Sequence, residues 1–225
     1  MNQGGFWMKR EASLYRTVSR TAVSASITNA RDYFEIYQRV STDLPYLELD
    51  RIGEELWRAY VDGRKILLFG NGGSASLACH FACDLEKGTV TPTRRRRLEV
   101  LSLAGNVALM TALANDYSYE HVFAEQIRTH LSAGDLAFAI SGSGNSPNVL
   151  KALEASRELG GINVGLGGFE GGKMKALCDY CAVVPSDNMQ IIEDLQLSMA
   201  HALFTCLRER IASHAEIRAK VAEAS

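Results

Sequence analysis

The segment Lys65-Ile66-Leu67-Leu68-Phe69 passes without interruption into Gly70-Asn71-Gly72-Gly73-Ser74-Ala75-Ser76 and then into a helical period. A buried strand that delivers the chain through a glycine-rich turn into a helix is the unit from which parallel α/β sheets are built. Such a turn lies at a strand's carboxyl end, where glycine lets the backbone come close to a ligand and serine can cap the helix or donate to an anion. The spacing is neither GxGxxG nor GxxxxGK[ST], so neither a dinucleotide nor a nucleoside triphosphate is favoured. A phosphate-bearing small molecule fits the nest, and a purely structural tight turn is the alternative.

The same rhythm recurs down the chain. A helical pattern runs from Ser13 to Leu44, with Val18, Val23, Ile27 and Phe34 near one stripe, and a second covers Leu47 to Val61 before Asp62-Gly63 turns the chain. Strands are expected over Lys65 to Phe69, Leu98 to Leu103, Asp135 to Ile140, Asn163 to Leu166 and Tyr180 to Val184. Helices are expected over Ser74 to Glu86, Val107 to Ala114, Glu120 to His130, Ser146 to Leu159, Lys173 to Leu177 and from Gln190 onward. The reading is an α/β three-layer sandwich around a five-stranded parallel sheet with two N-terminal helices. Residues 13–220 read as a single domain after a loosely ordered 1–12. The long N-terminal helix is in excess of what the sheet needs for cover, which suggests subunit packing.

With 225 residues and 47% hydrophobic composition, the chain can bury one good core. Lys and Arg total 24 against 26 for Asp and Glu, a net charge of −2, so nothing draws it to nucleic acid or an anionic membrane. The dense basic run Arg94 to Arg97 has no interleaved aromatics and reads as a surface loop or a contact for a sugar phosphate. The absence of a signal-like start or a span of about 20 apolar residues gives a cytoplasmic expectation. Five cysteines in apolar settings read as reduced thiols, with Cys178-Asp179-Tyr180-Cys181 as packing at the start of a strand.

A second loop, Ser141-Gly142-Ser143-Gly144-Asn145-Ser146-Pro147, follows the strand Leu136-Ala137-Phe138-Ala139-Ile140 and opens a helix. Two such loops after parallel strands converge on one sheet edge, where open α/β folds bind ligands. A third glycine-rich segment, Gly165 to Lys173, follows the next strand and can line the same crevice. His80 and Asp84, four apart on the helix leaving the first loop, share a face and can reach a common proton or metal, or serve only each other. On the last helix, Glu193 and His201 are separated by about 12 Å of rise. One of them can meet His80 and Asp84 readily, while both reaching one atom needs bending, a shifted helix start or a second subunit.

In this order and at these spacings, Gly70-Asn71-Gly72-Gly73-Ser74, His80-Phe81-Ala82 with Asp84, Ala114-Asn115-Asp116, Ser141-Gly142-Ser143-Gly144-Asn145-Ser146, Gly171-Gly172-Lys173 and the acidic pair before His201 make the chain similar to the sugar isomerase (SIS) domain family. It most resembles the phosphoheptose isomerase (sedoheptulose 7-phosphate isomerase) branch. The resemblance implies that Ser74, Ser141, Ser143 and Ser146 hold a sugar phosphate with Asn71 beside the sugar. It implies Asp84, where glutamate is usual, and His201 as the acid/base pair. It further implies zinc or a similar divalent metal on His80, Asp84, Glu193 and His201, with Glu193 in place of the usual glutamine. Gly105-Asn106 stands where the family commonly has an aspartate near the sugar. The expected activity is aldose–ketose isomerisation between sedoheptulose 7-phosphate and a heptose 7-phosphate in a homotetramer. Another phosphosugar isomerase and a non-catalytic SIS-type scaffold are the rival readings.

Overall fold

The computed structural model describes residues 26–89 and 97–223, with side chains as far as residue 214. The chain divides into two compact units, residues 1–43 and 44–225. In the first unit, helix α1 spans Ala30–Thr42. Asn29 caps it by accepting from the N–H groups of Arg31 and Asp32, while Asp32 accepts in return from the N–H and hydroxyl of Thr28. These bonds, led by the Thr28 hydroxyl, hold the Asp32 carboxyl below its ordinary range. The reciprocal cap stops the helix at Ala30, so Ile27 precedes it and shares no helical stripe with Phe34, contrary to the periodicity. Val18, Val23 and residues 1–12 lie outside the described residues.

The second unit begins with α2, Tyr46–Asp62, which ends at Gly63 in the left-handed conformation (φ 73°). It then alternates β1 Lys65–Phe69, α3 Gly73–Gly88, β2 Glu99–Ser102, α4 Val107–Asp116, α5 Ala124–His130, β3 Leu136–Ser141, α6 Pro147–Glu158, β4 Ile162–Gly167, α7 Met174–Leu177, β5 Tyr180–Val183 and α8 Met189–Glu223. All five strands are parallel, in the order β2-β1-β3-β4-β5. Ile66 to Phe69 and Leu136 to Ile140 are fully buried, as expected for central strands covered on both faces. The sheet and its helices are therefore the expected α/β sandwich.

One helix is broken where the sequence suggested continuity. Tyr119–His121 forms a 3-10 turn before α5 begins at Ala124. The consecutive Val122, Phe123 and Ala124 are all buried, and Ser118 Oγ lies 2.9 Å from His121 Nδ1 at the turn. Cys178 and Cys181 pack against Gly165, since a Cβ there would stand 2.9 and 3.2 Å from their sulfurs. None of the helices among the described residues is long and apolar enough to cross a membrane.

Candidate active site

The strand order sets the site. The chain leaves β1 outward to β2 and crosses back to β3, so the loops after β1 and β3 face one crevice at the topological switch point. Both predicted serine loops are these two. Their contact is close: a Cβ on Gly70 would stand 2.6 Å from Ile140 O and 2.8 Å from Ser74 Cβ. Gly72, at φ 55° and ψ −122°, holds a backbone conformation that a side chain strains. Ser74 is buried in the first turn of α3.

In the second loop, Ser141 Oγ accepts from Gly144 N at 3.1 Å and Ser143 Oγ accepts from Asn145 N at 3.2 Å. Each hydroxyl keeps its proton for another partner. Ser146 precedes Pro147 at the start of α6 and makes no side-chain cap, so its hydroxyl is not engaged by the helix. The two serine loops and the first turns of α3 and α6 thus meet at one sheet edge, an arrangement suited to an anion. The third glycine segment buttresses the second loop. Met174 N donates to Gly144 O at 2.9 Å and Lys173 N to Asn145 Oδ1 at 3.1 Å, while the Lys173 side chain is exposed.

Asn71 sits between the loops. It exchanges two 2.9 Å hydrogen bonds with Asn148 and accepts a third, at 2.8 Å, from the hydroxyl of Tyr119. Neither Asn148 nor Tyr119 stands out in the sequence, because their meeting with Asn71 spans 77 and 48 residues.

The second focus lies two turns along α3. His80 Nε2 is 2.9 Å from His201 Nε2, and Asp84 Oδ2 is 3.3 Å from the first and 3.7 Å from the second. Donor atoms about 2.05 Å from a tetrahedral ion are separated by about 3.3 Å, so these three contacts bracket the edges of one coordination face. The donor set, two imidazoles and a carboxylate, suits zinc or a related divalent ion. Both imidazoles are about half exposed, which leaves the remaining direction open.

Glu193 is placed elsewhere. A Cβ on Gly73 would stand 2.8 to 2.9 Å from its carboxylate, which puts that group at the N-terminus of α3. Gly73 to His80 is about 10 Å of helix rise, and the donors clustered among the described residues are His80, Asp84 and His201. The long parallel run of α8 beside α3 explains the split. The start of α8 reaches the two serine loops, with Met189 beside Gly142 and Glu193 beside Gly73, and its fourth turn reaches the histidine cluster. Of the basic run, only Arg97 is among the described residues, and it is exposed.

Residues 32–168 match the SIS domain family model. The chain is 40% identical over 163 residues to the phosphoheptose isomerase of Aneurinibacillus thermoaerophilus, covering 72% of this chain and 81% of that protein. It is 44% identical over 149 residues to that of Helicobacter pylori strain Shi470, covering 66% and 77%. Among solved structures, the phosphoheptose isomerase of Neisseria gonorrhoeae superposes with a TM-score of 0.74 at 30% identity over 80% of this chain and 96% of that one. The enzyme of Francisella tularensis gives the same TM-score and coverage at 28% identity. With two serine-lined loops meeting at the switch point and a histidine–carboxylate cluster beside them, the chain belongs to the SIS domain family, in its phosphoheptose isomerase branch.

Proposed function

We propose that the protein is an aldose–ketose isomerase that interconverts sedoheptulose 7-phosphate and a heptose 7-phosphate. The observation that carries this reading is the pairing of an anion cradle with a proton-transfer cluster on one helix. Ser74 and His80 lie at the two ends of about 9 Å of α3. A seven-carbon chain ending in a phosphate extends roughly 10 Å at about 1.5 Å per bond. A phosphate held by Ser74, Ser141, Ser143 and Ser146 then leaves the carbonyl end within reach of Asp84 and His201, with Asn71 beside the sugar.

Isomerisation moves a proton between the two carbons that form the enediol, and a proton between their oxygens. Asp84 Oδ2 faces both imidazoles, so Oδ1 is the oxygen free to take the proton from the carbon next to the carbonyl and return it to the neighbouring carbon. His201 serves the opposing transfer. Its Nε2 either joins the cluster or handles a proton, and it does one at a time.

His80, Asp84 and His201 would hold zinc or a similar divalent ion, with Glu193 held apart from them beside Gly73. Bound there, such an ion supplies charge stabilisation to the oxygens of the reacting carbons. Asp84 is one methylene shorter than the family's usual glutamate, which keeps its carboxylate close to α3 and makes the substrate's carbonyl end come to it.

The protein also works as a homotetramer in this reading. Helix α4, Val107–Asp116, is largely apolar yet buries none of its residues, and Val107 is 70% exposed. A second copy covering this face removes apolar surface that a lone chain leaves in water, and in the first unit Phe34 of α1, 65% exposed, offers an apolar contact of its own.

Phosphorylated ketoses of five to eight carbons, supplied with and without zinc, test the substrate. Preferential turnover of the heptose phosphate is expected, and preference for another length sinks the assignment. Light scattering that finds a stable monomer rejects the tetramer.

A further inference from the structure

The hydrogen bonds around Asn71 take their direction from one unambiguous donor. The main-chain N–H of Val149 donates to Asn148 Oδ1 at 3.0 Å, and a main-chain N–H can only donate. That identifies the oxygen of the Asn148 amide. Asn148 Nδ2 therefore donates to Asn71 Oδ1, and Asn71 Nδ2 donates back to Asn148 Oδ1. The Tyr119 hydroxyl, which has the same Asn71 oxygen in front of it at 2.8 Å, must donate as well.

The consequence for Asn71 is a one-sided amide. Its oxygen has both lone pairs filled, and one of its two N–H bonds is committed to Asn148. A single N–H is left, with no further partner among the described residues. Asn148 is 2% exposed, buried behind Asn71, to which it is hydrogen-bonded, while Tyr119 reaches in from the connection between β2 and β3. The three residues come from three separate segments that border the crevice.

We propose that Asn148 and Tyr119 are positioning residues that lock Asn71 as a donor, so that it reads an oxygen lone pair of the sugar and cannot accept from a sugar hydroxyl. This rests on the reading of the crevice as a phosphosugar site. Had Asn71 been free to turn, its amide would offer either end to the ligand, and the sugar would be held equally well in two hydroxyl orientations. The lock removes one of them. It also spares the ligand the cost of ordering the side chain.

The test is a double-mutant cycle on the full chain. Tyr119→Phe removes one donor at an exposed ring and leaves the fold intact; it is expected to lower kcat/KM for sedoheptulose 7-phosphate about 3- to 10-fold. Asn148→Asp keeps the acceptor for Val149 and Asn71 but withdraws the donor, with an expected loss of roughly 10- to 100-fold. In an Asn71→Ala background, Tyr119→Phe is expected to change kcat/KM by less than about twofold. A full Tyr119→Phe effect without Asn71 would overturn the proposal.

A second readout needs no ligand. In the ligand-free protein, Tyr119→Phe is expected to shift the side-chain amide resonances of Asn71 and leave those of Asn106, on α4's cap, in place. An unmoved Asn71 amide would likewise overturn the lock. Wild-type protein that turns over no heptose phosphate refutes the substrate reading, and the amide resonances then still decide the lock.

Discussion

Replacing Gly70 by alanine probes the contact on which the site is built. The added Cβ would lie 2.6 Å from Ile140 O, 2.8 Å from Ser74 Cβ and 3.0 Å from Ser74 C. None of these atoms is the end of a flexible side chain; they belong to β3 and to the first turn of α3. Relief requires the first loop to move off the second by roughly 0.6 to 0.8 Å, a typical overpacking strain of about 1–3 kcal/mol. Loss of backbone freedom in the unfolded chain returns about 0.4–1 kcal/mol. For a chain of this size the remainder, about 0–2.6 kcal/mol, lowers Tm by up to roughly 10 °C.

Activity should fall further than stability. Displacing reacting groups by about 1 Å costs about 10²-fold, so a shift of this size predicts a kcat/KM loss of at least about tenfold. Gly72→Ala is the control, since nothing lies within 4 Å of its Cβ and only the positive φ is strained. Its damage should be to stability, at about 1–3 kcal/mol for a side chain held in a sparsely populated backbone region. Calorimetry and steady-state kinetics on both variants separate the two effects. A Gly70→Ala protein with wild-type Tm and wild-type kcat/KM would refute the proposed contact between the loops.

Other expectations follow from the clustered donors and the packed tyrosine. Asp84→Asn removes the only carboxylate of the His80, Asp84, His201 cluster and should weaken zinc binding, read by competition with a chromophoric chelator, by at least about 10²-fold. It should lower kcat by about 10²–10⁴-fold. Glu193→Gln, which leaves those three donors in place, should cost far less zinc affinity than Asp84→Asn, and an equal loss would assign Glu193 to the bound ion's ligands. The Tyr180 hydroxyl is held above its ordinary pKa of 10.0, first by burial and then by its hydrogen bond to Glu55. A raised folded-state pKa gives stability that is present below pH 10 and is lost as pH rises through the folded value. Absorbance titration should therefore show one phenol ionising late, and Glu55→Gln should bring it earlier.

Much of this was legible in the sequence because it is local. The strand Lys65–Phe69 begins and ends where its apolar run does, and α2 stops at the glycine of Asp62-Gly63. Once five strands alternate with helices, sheet topology brings the two serine loops to one edge. His80 and Asp84 share a face by helical spacing alone.

What escaped the sequence depends on contacts across the fold. The start of α1 is decided by the exchange between Asn29, Asp32 and Thr28, whereas the apolar stripe runs on past it. The split between Glu193 and His201 follows from α8 lying alongside α3, so that eight residues of one helix span the distance from the first loop to the cluster. Asn148 and Tyr119 carry no local mark. Their part is set by a hydrogen bond from Val149 and by the approach of three distant segments.

The most direct measurement is to incubate the purified, zinc-reconstituted protein with sedoheptulose 7-phosphate in D₂O and follow the sugar by NMR. Because the proton held by Asp84 at the enediol stage exchanges with solvent, the expected product is a heptose 7-phosphate carrying deuterium on the carbon beside the carbonyl, formed by wild-type protein and not by Asp84→Asn. Failure of the wild-type protein to form any aldose phosphate would contradict it.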